Sequence, residues 1–172
     1  SIGSTTTLRW TTSNGACTTT DDVTIIITPP PTVSAAGVDQ DLCNTTTATL
    51  AGNTATVGTG LWTVVTGTAT ITTPTLSTTG ITGLVVGSSA TLRWTISNAP
   101  CSSSFDEVII NVATPGTSAN AGTDQSLCNQ TTATLAGNSP TSGTGTWTVL
   151  TGTATITTPT LSTTGLTDLV PG

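Results

Sequence analysis

Four cysteines are the side chains best equipped for chemistry in this 172-residue chain: Cys17, Cys43, Cys101 and Cys128. Cys43 returns as Cys128 after 85 positions, and Cys17 returns as Cys101 after 84. Two cysteines per repeat at fixed positions, in a chain without histidine, read as disulfides rather than zinc ligands. That reading places the chain in an oxidising, extracellular setting. Cys43–Cys101 is the default pairing within a repeat, with Cys17 and Cys128 pairing outside the chain. It closes a loop of about 58 residues, worth roughly 4 kcal/mol in the chain-entropy account. Two alternatives stay open. In a seven-strand sandwich Cys43 follows the first strand and Cys101 lies between the last two, which tend to be opposite ends. A bond from the first turn of one repeat to the last hairpin of the next would then staple neighbours and leave all four cysteines unpartnered within this chain. The third alternative is free thiols.

The remaining candidates for chemistry are few. Charged residues make up 6% of the chain, against about 25% in an ordinary globular domain. Without histidine there is no imidazole base or ligand. Arg9 and Arg93 are the only cations, so Schiff-base lysines are excluded, as is a surface that tracks phosphates of nucleic acid or anionic lipid. The 8 acidic residues are too scattered for a paired-carboxylate site. Asp21, Asp22, Asp39 and Asp41 could be imagined around calcium, but neither pair has the spacing of a known loop. No enzyme activity, catalytic residue, metal or cofactor is expected. Asn44-Thr45-Thr46 and Asn129-Gln130-Thr131 match the glycosylation pattern, a near-chance match in so Thr-rich a chain. Thr66, Thr68, Thr70 and Thr72 alternate along one stretch and recur at 151–157. A solvated strand face explains them more simply than an ice-ordering lattice.

What must position these residues is a repeat. TATLAGN at 47–53 recurs at 132–138, and TGTATITTPTLSTTG at 66–80 recurs unchanged at 151–165. TLRWT occurs at 7–11 and 91–95, so Trp10 returns as Trp94; Trp62 returns as Trp147. Phe105 looks inserted relative to the stretch from Cys17 to Val23. The phase predicts the last strands of one repeat at 1–28, a complete repeat at 32–113 and the front of a third at 117–172. The Pro-containing joints TPPPT at 28–32 and ATPGT at 113–117 read as short, stiff linkers. Such a phase suits a window on a longer array. It also suits complementary ends, with strands 1–28 completing a neighbouring molecule by strand addition.

Within the repeat the apolar period is two. Leu92, Trp94 and Ile96 share a face, as do Val108, Ile110 and Val112, and Ala48 with Leu50. Trp62 and Val64 are expected to point inward, as are Ala69 and Ile71. About seven short strands in each repeat of about 85 residues, separated by Gly and Pro turns, predict tandem all-β, immunoglobulin-like antiparallel sandwiches. Trp10, Trp62, Trp94 and Trp147 are assigned to their cores.

The strings AGVDQDLCNTTTATLAGN at 36–53 and AGTDQSLCNQTTATLAGN at 121–138 resemble the opening of PKD-like repeats in giant surface proteins of gliding flavobacteria. GTGTWTVLTGTATI at 143–156 and LRWTISNAPC at 92–101 fit the same pattern. The resemblance implies a PKD-like sandwich, export by the type 9 secretion system and display at the cell surface on gliding adhesins of the SprB type. The WDFGDG motif of ordinary PKD domains is missing; Trp62 is followed by TVVTG. The expected role is a stalk or filament repeat of a cell-surface adhesin serving attachment and gliding. Its expected partners are neighbouring repeats and lateral copies, without nucleic acid and without membrane insertion. The alternatives are a fibre subunit completed by strand exchange, and a polysaccharide-binding module in which Phe105 is the one candidate contact.

Overall fold

The computed structural model describes residues 3–170, and every regular element among them is a strand. The outermost residues of the expected boundaries, 1–2 and 171–172, lie outside the described residues. Two compact units divide the chain, Ser1–Ala113 and Thr114–Gly172. The first contains β1 (Thr5–Asn14), β2 (Cys17–Ile26), β3 (Gln40–Cys43), β4 (Ala48–Ala51), β5 (Thr59–Thr66), β6 (Thr70–Ile71), β7 (Thr78–Thr82), β8 (Ser88–Ser97) and β9 (Ser104–Ala113). The second contains β10 (Ala133–Ala136), β11 (Thr155–Ile156) and β12 (Thr163–Thr167).

Residues 32–113 form an immunoglobulin-like sandwich. One sheet has the order β3-β9-β8-β5 and the other β4-β7-β6. All ladders are antiparallel except β3–β9, which runs parallel with Cys43 opposite Ala113. The alternation along β8 is what closes the core: Ala90, Leu92, Trp94 and Ile96 are buried, while Arg93 faces out. Val108, Ile110 and Val112 answer from β9, and Leu50 and Ile81 from the opposite sheet. Each large apolar side chain taken wholly out of water here contributes about 1.5–3 kcal/mol. Val64 departs from expectation. It stays 38% exposed, beside a bulge that shifts the β5–β8 register between Val64 and Thr66.

The leading segment is tied down before β3 begins. Asn53 accepts from the Ala35 amide at 2.9 Å and donates to the Val33 carbonyl at 2.8 Å. Its own carbonyl accepts the Trp94 indole N–H at 3.1 Å. One residue thus fixes the incoming chain and a core indole together. Asn53→Ala removes both side-chain bonds at a solvent-exposed site, at about 0.5–1.5 kcal/mol for each. Urea unfolding should show that loss, and a change under ~0.5 kcal/mol would contradict this role.

In β1–β2 every residue is exposed. Its ladder pairs Trp10 with Asp21 and Arg9 with Asp22, just as β8–β9 pairs Trp94 with Asp106 and Arg93 with Glu107. The same pentapeptide is therefore core in one place and surface in the other: Trp94 is 1% exposed and Trp10 73%. The core assignment of Trp10 is corrected accordingly. A two-stranded hairpin has no second sheet against which to bury its indole.

The second unit keeps the scaffold of the first without the equivalents of β8 and β9. Its sheet has the order β10-β12-β11. Asn138 repeats the clamp of Asn53, accepting from Asn120 at 2.7 Å and donating to Ser118 at 3.0 Å. The Trp147 backbone amide donates to the Pro159 carbonyl at 2.8 Å, as the Trp62 backbone amide does to Pro74. Stretches 125–128 and 144–151, which match β3 and β5 in sequence, form no strands here. In the complete copy β3 pairs only with β9 and β5 only with β8, so the ladder fails where its partner is missing. Trp147 is consequently half-buried rather than a closed core residue.

Candidate functional site

The most specific feature of the sandwich is the seat of an indole pair. Trp62 and Trp94 face each other with ring centroids 5.2 Å apart, inclined at 37°, within the range favoured by aromatic pairs. Trp62 donates its indole N–H to the Ser77 carbonyl at 3.0 Å, and Trp94 to Asn53, so neither buried donor is left unmet. Two glycines make the room. A β-carbon on Gly60 would lie 2.1 Å from Trp94 Cζ2, and one on Gly52 would lie 3.0 Å from Trp62 and 3.2 Å from Trp94.

The second unit holds the same seat empty of its second indole. A cavity of about 240 Å³ is lined by Gly137, Asn138, Gly145, Trp147 and Leu161 among others. Gly137, Asn138, Gly145 and Trp147 are the counterparts, 85 positions on, of Gly52, Asn53, Gly60 and Trp62. A β-carbon on Gly145 would meet nothing within 4 Å. Sequence reading located all four tryptophans but missed this cavity. The available signal was the recurrence of Gly52, Asn53, Gly60 and Trp62 as Gly137, Asn138, Gly145 and Trp147.

The cysteines are not where the default pairing needs them. Cys43 closes β3 opposite Ala113, at the end of β9, whereas Cys101 lies in the turn that precedes β9. The ten residues of β9 lie between them, roughly 30 Å at ~3.3 Å per residue. A disulfide needs Cα atoms within about 7 Å. The within-repeat bond Cys43–Cys101 is therefore excluded, because β3 runs parallel to β9 and ends at the far pole. Among the described residues none of Cys17, Cys43, Cys101 and Cys128 is bonded to another. Cys101 packs on the joint, its Sγ 3.5 Å from the carbonyls of Thr28 and Pro29. Asn98 donates to the Pro29 carbonyl at 2.8 Å, and the Thr32 amide donates to Val57 at 3.0 Å.

Three acidic side chains of the sandwich are engaged within the fold. Asp39 accepts from the Ile109 amide at 2.8 Å, Asp41 from Asn111 at 2.9 Å and Asp106 from the Ala36 amide at 2.7 Å. They sew the leading segment to β9, and no cluster of three metal-ligating side chains exists among the described residues. Phe105 is exposed, with the Arg93 guanidinium 4.2 Å above its ring, and Arg93 also donates to Glu107 at 2.8 Å. One ring face is thus taken by a cation. Thr66 ends β5 in one sheet and Thr70 opens β6 in the other, so the threonine row does not form a single flat lattice.

On the hairpin, Arg9 grips Asp22 through two bonds of 2.7 and 2.9 Å. This holds the Asp22 carboxyl below its ordinary pKa and raises that of Arg9. A lowered carboxyl pKa contributes stability above the ordinary carboxylate range, lost as pH falls through the lowered value. The β1–β2 amides should therefore begin to lose hydrogen-exchange protection only below that ordinary range. Asp22→Asn should remove this acid step, and its persistence in the variant would refute the assignment.

Two sheets closed on a tryptophan pair define the class, an immunoglobulin-like all-β sandwich with a second, open copy. No family model matches the chain, and no curated protein matches it. Among solved structures it is similar to the PKD domain of the KIAA 1837 protein, at 21% identity and a TM-score of 0.41, over 54% of this chain and 92% of that one. It is also similar to a nucleoside hydrolase-related hypothetical protein from Saccharophagus degradans associated with carbohydrate metabolism, at 13% identity and a TM-score of 0.41. That likeness spans 49% of this chain and 26% of the other. The fold assignment rests on the chain's own two sheets.

Proposed function

We propose that this chain is a structural repeat of a cell-surface stalk: PKD-like sandwiches strung in series to hold an adhesin away from the cell, exported by the type 9 route and serving attachment and gliding. The observation that carries the reading is the joint. Pro29 sits between Thr28 and a run of prolines, and its carbonyl is held by Asn98 and lies against the Cys101 thiol. A linker bonded to the sandwich it feeds resists bending, which a spacer needs and an enzyme does not. A non-enzymatic role also accords with Asp22, Asp39, Asp106 and Glu107, whose carboxylates are spent on backbone and arginine partners.

Small-angle scattering on the chain tests the stiffness. A rod-like profile that becomes more flexible in Asn98→Ala is the expected result; a freely jointed profile in the parent sequence would defeat the stalk reading. Surface labelling of cells with an antibody to residues 32–113 tests the location. A polysaccharide-binding role has no comparable support, since the indoles of the closed sandwich are buried and Phe105 is partly covered by Arg93.

A further inference from the structure

The loop that follows β3, and its counterpart in the second unit, present the same exposed asparagine. We propose that Asn44 and Asn129 are acceptors of N-linked oligosaccharide, transferred from a polyprenyl diphosphate carrier once the chain has left the cytosol. The inference rests on the export in the reading above but not on a stalk role. Bare asparagines on an exported chain would overturn it and leave the stalk untouched.

Asn44-Thr45-Thr46 and Asn129-Gln130-Thr131 carry the acceptor pattern. In sequence the match is near chance; in the structure it is selective. Asn53, Asn98, Asn111, Asn120 and Asn138 all spend their side chains on hydrogen bonds within the fold. Asn44 and Asn129 are exposed, and their side chains make no such bond among the described residues. Asn14 makes none either, but Gly15 and Ala16 follow it, so it lacks a hydroxyl two places on. The pattern thus falls on asparagines whose amides are open to a transferase.

Both asparagines hold the left-handed conformation, at φ of 50° and 51°, which asparagine tolerates better than most residues. That accounts for the asparagine but not for the threonine two places on. Thr46 and Thr131 are exposed and serve the fold through their carbonyls, which accept the Leu84 and Leu169 amides at 3.1 Å. Their hydroxyls bond to nothing among the described residues. The hydroxyl that the loop does use is that of Thr45, on the Thr47 carbonyl at 3.1 Å, and this middle residue becomes Gln130 in the second unit. The position with a structural task varies, while the one without is kept. The Asn44 amide donates to the Ala113 carbonyl at 3.0 Å, so a glycan here lies beside the residue where the second joint begins. Its hydroxyls hydrate a surface that carries few charges. In the transfer, Asn Nδ2 bonds to C1 of the first sugar as the C1–O bond to the carrier breaks. Polyprenyl diphosphate leaves with the electron pair, and one Nδ2 proton passes to a carboxylate base of the transferase.

The test is glycopeptide mapping by mass spectrometry on the chain isolated from the surface of the cells that make it, beside Thr46→Ala and Thr46→Ser made in the same cells. Oligosaccharide is expected on Asn44 and Asn129 and on no other asparagine. Thr46→Ala should lose the glycan at Asn44 and keep the one at Asn129. Thr46→Ser, which restores a hydroxyl, should keep both. Urea unfolding of Thr46→Ala should match the parent chain, because the lost hydroxyl bonds to nothing, so a missing glycan is not a missing fold. Bare Asn44 and Asn129 on the surface-isolated chain would overturn the proposal. So would sugar that persists at Asn44 in Thr46→Ala, or sugar found on the engaged asparagines instead.

Discussion

Trp94→Ala is expected to cost the 32–113 sandwich about 3–5 kcal/mol, the usual penalty for emptying a fully buried large aromatic site. The reasons are local. The indole is shut off from water on every side and stacks on Trp62. Its N–H also satisfies the Asn53 carbonyl, so removal both opens a cavity and orphans an acceptor. Against the 5–15 kcal/mol typical of a small domain, such a loss takes a large share of the total. Trp10→Ala, the same substitution in the same pentapeptide, should stay within ~0.5 kcal/mol in the dilute monomer. Urea unfolding followed by circular dichroism separates the two. A loss below ~1 kcal/mol at Trp94 would mean that the core can collapse around the gap.

Gly60→Val should be nearly as damaging, by crowding rather than by deletion. The new β-carbon falls about 2 Å from two indole atoms of Trp94. The ring cannot retreat, because Gly52 and Trp62 close the other side. Overpacking a core commonly costs about 1–3 kcal/mol, and a wall that is rigid on both sides puts this site at the upper end. Gly145→Val makes the identical change where no indole sits and should leave monomer stability unaltered. Equal effects at the two glycines would show that the second seat is already filled in the isolated chain.

Much of this fold was legible because inward residues fall on every second position. Leu92, Trp94, Ile96, Val108, Ile110 and Val112 were all identified from that alternation, and the sandwich follows from them. Pairing direction was not legible. Nothing in QDLC says that β3 runs parallel to β9, yet that one fact moves Cys43 to the far pole from Cys101 and undoes the default disulfide. Context was equally invisible. TLRWT carries the same local preference at 7–11 as at 91–95, and only the presence of an opposing sheet decides whether its tryptophan is buried. For the same reason the stretch around Trp147 reads as a strand but lacks the neighbour that would make it one. Val64 was misjudged through a bulge, which shifts register without any marker residue.

The parallel β3–β9 ladder has a mechanical consequence. The chain reaches the sandwich beside the 97–104 hairpin and departs past Ala113, at the opposite pole, so pulling on the two ends drags β3 and β9 in opposing directions along their common axis. Every rung between Gln40 and Cys43, together with the Asp39 and Asp41 bonds to β9, is then loaded at once, in shear. A hairpin drawn apart at its open end yields one rung at a time. A module built in this way transmits traction along its length and gives way only when the whole seam slides.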